Sequence, residues 1–227
     1  MEKAVGGLLM ASAVAWLSLR DGRLQERYVD WRLGRLPRVR LGEVGDLPVR
    51  VVGRVRRAAE PLLAPLSDRP CVAFRLRIAE IHGRGFRRLV LDLRGAVPFV
   101  LVDDSGLALI EPNDTRRLAL QPDLTGTIGG VGRRRPAASA GCHVFSLLEA
   151  HGTNTVTWLG GEKAYSFQEG VLALDAPVAI GGLATRELYA DGERPTSRVF
   201  PDRLVFRNGV NGQLWLSTFG GALGSGR

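Results

Sequence analysis

The stretch PFVLVDDSGLALIEP, residues 98–112, decides the fold class. Two apolar runs, FVLV and LALI, flank Asp103-Asp104-Ser105-Gly106. Asp and Ser bond readily to nearby backbone and Gly tolerates left-handed geometry, so this spacing predicts two strands joined by a tight turn. Adjacent carboxylates could also mark a metal site. A hard cation would need further oxygen ligands, and Asp92 is the only obvious one nearby. The turn reading is adopted, which assigns Asp103 and Asp104 a structural role.

Working outward, strand-like segments continue in both directions. PVRVVGRV (48–55) alternates apolar and basic residues around Gly53, and CVAFRLRIAEI (71–81) sets Val72, Phe74, Leu76 and Ile78 against Arg75 and Arg77. His82-Gly83-Arg84-Gly85 then turns the chain into FRRLVLDL. Later come TVTWL, YSFQEGVL, PVAIGG, RLVFRN and QLWLS, with Asn208-Gly209 or Asn211-Gly212 offering a hairpin turn before the last. Many short strands with Gly/Pro turns predict a mainly β domain, an OB-like barrel or a sandwich, over 37–219. HVFSLLEAHG (143–152) is the expected helix, and the glycine-rich 125–141 stretch is expected to be a loop between two halves. The tail, 220–227, is expected to be flexible.

The N-terminus differs in kind. Residues 4–19, AVGGLLMASAVAWLSL, carry no charge. A helix of that length would span roughly 24 Å, somewhat short of the ~30 Å hydrocarbon layer. A small-x-small site lies mid-run rather than at its end, which disfavours a cleaved signal. Residues 1–20 are therefore expected to form a membrane anchor. Arg20, Arg23, Arg27, Arg32 and Arg35 follow it, so the positive-inside rule places the remainder on the cytoplasmic side of a single-pass protein. Leu24, Tyr28, Trp31 and Arg35 recur at helical spacing, predicting an amphipathic juxtamembrane helix over 21–36, with Arg20, Arg23, Arg27, Trp31, Arg32 and Arg35 at the lipid surface.

The composition narrows the chemistry. The chain carries 31 Lys plus Arg against 23 Asp plus Glu, a net +8, and almost all of the positive charge is arginine. These arginines are expected on solvated faces or in ion pairs. Nucleic acid is not expected, because Phe74, Phe86, Phe99, Trp158 and Trp215 fall in apolar segments that read as core. Cys71 and Cys142 are the only cysteines, and Cys142-His143, Ser146, Glu149 and His151 make no convergent nucleophile–base set. No phosphate-loop motif occurs. Neither a catalytic residue, a metal nor a cofactor is expected.

Four blocks in order carry a family resemblance: Gly53 in VVGRV; Pro65, Pro70 and Cys71 in LLAPLSDRPCVAFRLRI; Phe99, Asp103 or Asp104, Gly106 and Pro112 in the opening hairpin; and Glu169, Asp175 and Gly181 in QEGVLALDAPVAIGG. Over roughly 36–219 the chain resembles the GIDE-type domain, also called beside-a-membrane or BAM. That domain occurs in membrane-anchored ubiquitin ligases of mitochondria and in many bacterial proteins. Those ligases also carry a zinc-binding RING, which requires sets of four Cys/His ligands; two Cys and three His cannot supply them. The resemblance thus implies a RING-less domain that recruits or senses a protein partner or ligand beside a membrane. A role in ubiquitin-type transfer with catalysis supplied in trans, and a membrane-perturbing effector acting as a homo-oligomer, are left as alternatives.

Overall fold

The computed structural model describes residues 23–83, 86–130, 138–157, 160–188, 202–208 and 213–224. It is mainly β, with three α-helices among the described residues: α1 (Arg23–Arg35), α2 (Ala138–Ala150) and the single turn α3 (Gly220–Leu223). The strands run β1 (Val49–Arg57), β2 (Leu62–Leu63), β3 (Pro70–Cys71), β4 (Ala73–Ile81), β5 (Arg87–Ala96), β6 (Phe99–Asp103), β7 (Gly106–Glu111), β8 (Leu118–Ala119), β9 (Leu124–Ile128), β10 (Ala164–Leu172), β11 (Pro177–Gly182), β12 (Ala184–Leu188), β13 (Asp202–Arg207) and β14 (Trp215–Ser217).

Three sheets result. The large one is ordered β12-β13-β7-β6-β1-β11-β14-β8, the second β5-β4-β10-β9, and the third is the short pair β2-β3. Residues from both ends of the large sheet, Leu204 and Phe206 at one and Leu118 and Leu216 at the other, enter one core with Val51, Val55, Phe99, Leu101, Ile110 and Ile180. The sheet curls around that core without closing into a barrel, because its edge strands β12 and β8 are not paired to each other. The second core lies under α2, where Val144 and Leu148 meet Leu76, Ile78, Tyr165 and Phe167.

The opening hairpin is β6 and β7, paired from Phe99↔Ile110 to Asp103↔Gly106. Elsewhere the structure departs from the sequence reading. β13 and β14 do not form a hairpin: β13 pairs in parallel with β7, and β14 in parallel with β8. The glycine-rich stretch is not one loop, since 124–128 is strand β9 on β10 and α2 already begins at Ala138. Nor does it divide two halves, because strands from both sides of it interleave in both large sheets. The tail is not wholly free: α3 folds back and buries Ala222 against α1.

α1 lies within the helix expected over 21–36. Its first turn holds Glu26 and its last Arg32 and Arg35, matching the helix dipole. Yet it does not project from the domain. Val29 and Leu33 are fully buried against Ala119, Ala179, Trp215 and Ala222, on the outer face of the large sheet. Burying two such side chains contributes about 1.5–3 kcal/mol each. Among the described residues no helix is long and apolar enough to cross a membrane. The anchor expected at 1–20, with Arg20, lies outside the described residues, as do the side chains of Arg23 and Leu24.

Candidate functional site

The residues that carry the family resemblance gather at three places. At the first, Asp103 organises the β6–β7 turn. Its Oδ1 accepts hydrogen bonds from Ser105 N (2.7 Å), Ser105 Oγ (2.7 Å) and Gly106 N (3.0 Å), while Oδ2 accepts Leu41 N at 2.8 Å. Burial pushes this carboxyl up, but the bonds from Leu41, Ser105 and Gly106 outweigh it and hold it below the usual carboxylate range. Asp104 points to solvent, Phe99 is fully buried and Pro112 is buried.

At the second place, fully buried Glu169 on β10 accepts Leu66 N (2.8 Å) and Ser67 N (3.1 Å), pinning the loop that holds Pro65, Pro70 and Cys71. The Cys71 thiol is pushed up to about 11, first by burial and then by the Glu169 charge, with Arg69 opposing. A thiol held neutral is a poor nucleophile at neutral pH.

The third place is the β1–β11 ladder beneath α1. Gly53 lies opposite Val178, and a Cβ there would stand 2.5 Å from the Val102 carbonyl oxygen. Gly181 lies directly under Leu33 and Leu36, so α1 can settle onto β11. Asp175 turns the chain with φ +62° and pairs with Arg56.

Beneath the N-terminal turn of α1 lies a charge cluster. Arg75 and Arg77 are not solvated: they are 2% and 6% exposed. Glu26 Oε1 receives Arg75 Nη1 (3.1 Å) and Arg77 Nη2 (3.0 Å). Arg75 also reaches Asp92 at 3.2 Å, which in turn holds Arg94 at 2.6 Å. Burial pushes the Asp92 carboxyl up; the hydrogen bonds from Arg94 and Arg75, with their positive charges, more than reverse this and hold it low. Asp92 therefore serves a helix-to-sheet clamp rather than the hairpin turn.

The outer face of α1 is of a different character. Tyr28 and Trp31 are each 49% exposed, and Arg27, Arg32 and Arg35 are exposed beside them. Five side chains form a continuous ladder. The Arg35 guanidinium lies 4.2 Å from the Trp31 ring centroid, Trp31 stacks on Tyr28 at 5.8 Å, Tyr28 meets Trp215 edge-on at 5.6 Å, and Arg117 covers Trp215 at 5.1 Å. Each cation–aromatic contact at such a site is worth about 0.5–1 kcal/mol. Arg117 is held in place by Asp114. Along the flank of α1 runs a groove of about 270 Å³, lined by Glu26, Arg27, Asp30, Arg77, Pro122, Gln168 and Phe219.

Of the lipid-surface residues expected from sequence, Arg27, Trp31, Arg32 and Arg35 share this face. Tyr28 was legible from its spacing to Trp31; Arg117 and Asp30 carried no signal. Phe86, expected in the core, is 52% exposed, and Trp158 lies outside the described residues. His151 Nδ1 is engaged by the Leu147 carbonyl at 2.9 Å, and Glu149 accepts Thr155 Oγ1; the Cys142 side chain is not described. No family model, no curated protein and no solved structure matches the chain.

Proposed function

We propose that this is a membrane-apposed, non-catalytic β domain of GIDE type. It is tethered through residues 1–20, faces the cytoplasm, and recruits or senses a partner beside the bilayer. The observation that carries the reading is the outer face of α1, where two half-exposed aromatic rings stand among Arg27, Arg32 and Arg35. Amphipathic rings favour the headgroup level, and each arginine near an anionic surface contributes about 1 kcal/mol. This face follows within a few residues of the uncharged 4–19 run, so a tether there would present it to the same surface. α1 is clamped to both large sheets, so contact through its outer face would also set the orientation of the whole domain. The points at which the family resemblance falls support the same reading, because Gly53 and Gly181 belong to the ladder on which α1 is seated.

Flotation with vesicles tests it. Protein lacking residues 1–20 is expected to bind vesicles containing anionic lipid at low salt and to be released at high salt. Simultaneous Arg27→Glu, Arg32→Glu and Arg35→Glu should abolish that binding. Equal binding to neutral and anionic vesicles would defeat the proposal, and binding that persists in high salt would overturn the assignment of the tether to 1–20.

A further inference from the structure

Resting on the membrane-apposed reading, we propose that the groove along α1 is a headgroup-sized site for a phosphate ester bearing a primary amine. Its floor is preformed: Arg77 is held by Glu26 at 3.0 Å and by Gln168 Oε1 at 2.9 Å. Its walls include Pro122 and Phe219, suited to a short methylene linker. The rim supplies the specificity. Arg27 and Asp30, almost one helical turn apart, line it together, and neither has an ion pair among the described residues. Among the described residues Asp30 receives one long hydrogen bond, from Ser217 Oγ to Oδ1 at 3.4 Å, and its Oδ2 lies beside Gly221 of α3.

A guanidinium and a carboxylate at one rim, neither ion-paired among the described residues, discriminate by charge. Inorganic phosphate meets Arg27 but is repelled by Asp30; a simple amine meets the reverse. A molecule carrying both satisfies both, with the phosphate in the arginine fork and ammonium hydrogens on the carboxylate. A quaternary ammonium has no N–H to donate, so a choline ester should bind less well. The volume, about 270 Å³, falls a little below the ~300–1,000 Å³ of pockets that hold drug-sized molecules, which suits a headgroup.

The same chemistry can arrive as a free phosphate ester or as a lipid headgroup, and two arms separate these sources. In the first, the full chain in detergent micelles is titrated calorimetrically with O-phosphoethanolamine, O-phosphocholine, inorganic phosphate and ethanolamine. In the second, the full chain is placed in nanodiscs of phosphatidylcholine with or without phosphatidylethanolamine, and amide exchange of α1 is followed. Binding of O-phosphoethanolamine at least tenfold tighter than the other three identifies a site for the free ester. Slowed exchange in the ethanolamine lipid alone, without solute binding, identifies the headgroup as the source. In either case Asp30→Asn should remove the preference for the amine, and Arg27→Gln the preference for the phosphate. Equal response to all four solutes, or no response in either arm, overturns the proposal. Arg32→Glu with Arg35→Glu keeps the two readings distinguishable: it should abolish docking to anionic vesicles while leaving the response to ethanolamine phosphate intact.

Discussion

β1 and β4 are written alike and used differently. Each has nine residues, VRVVGRVRR and AFRLRIAEI, and each alternates apolar side chains with arginine. On β1 the arginines that follow Gly53 stand in solvent, where Arg56 pairs with Asp175 at 55% and 61% side-chain exposure. On β4 the arginines are sealed beneath α1 and meet a carboxylate, Glu26, that is itself 9% exposed. Alternation fixes which side chains share a face. It does not say whether water or another element covers that face. The difference matters energetically, because an exposed pair exchanges one solvated arrangement for another, whereas a buried cation without its partner has nowhere to recover its hydration.

The contrast is most easily broken at Glu26. Its replacement by Ala should destabilise the domain by about 3–5 kcal/mol, read by chemical denaturation, because Arg75 and Arg77 would both lose a buried counter-charge. A loss under ~1 kcal/mol would show that water reaches β4 and that the two strands are equivalent. The apolar triple variant Glu26→Leu, Arg75→Met, Arg77→Met should recover much of the loss, since the cluster as a whole contributes little net stability.

Asp103 supplies an intermediate case, a half-buried carboxylate saturated by backbone donors. Asp103→Ala should cost about 1.5–3 kcal/mol at neutral pH. The folded carboxyl titrates below its ordinary value, so its contribution is complete above about pH 4. It is lost as pH falls through the depressed folded value. Denaturation midpoints of the native and variant proteins should therefore converge on acidification; parallel pH profiles would remove the assigned role.

On β1 itself, Gly53→Ala should cost about 1–3 kcal/mol through collision with the Val102 carbonyl, measured as a lowered melting temperature. The smallest effect belongs to Arg56→Ala, about 0–1 kcal/mol by the same measurement. If it matched Glu26→Ala, the distinction between the strands would fail.

These cases also show what the sequence could carry. The β6–β7 hairpin was legible because every group that makes it, Asp103, Ser105 and Gly106, lies within four residues. α1 was legible from its spacing, and its aromatic outer face from Tyr28 and Trp31. Its docked inner face was not, since Val29 and Leu33 fit a lipid-facing stripe as well as a core. Glu26 and Arg75 lie 49 residues apart, and local pattern cannot register a pairing at that distance. The parallel pairings of β13 with β7 and β14 with β8 escaped for the same reason: an Asn-Gly turn suggests a hairpin, but long-range packing chose other neighbours. The Arg27–Asp30 rim was hidden more completely, because on a helical wheel it looks like any solvated flank.

The seat of α1 has a consequence for biosynthesis. Leu33 comes to rest against side chains as late in the chain as Trp215 and Ala222. At about 5–20 residues per second, the ribosome needs roughly 10–40 s to add the intervening ~190 residues. Throughout that interval the seat of α1 is incomplete, although Ala119 and Ala179 are made before Trp215 and Ala222. An amphipathic segment emerging early, close behind an apolar run, therefore has time to meet a bilayer before its own domain can claim it. α3 would then act as a timer, letting the inner face settle on protein only once Trp215 and Ala222 have been made.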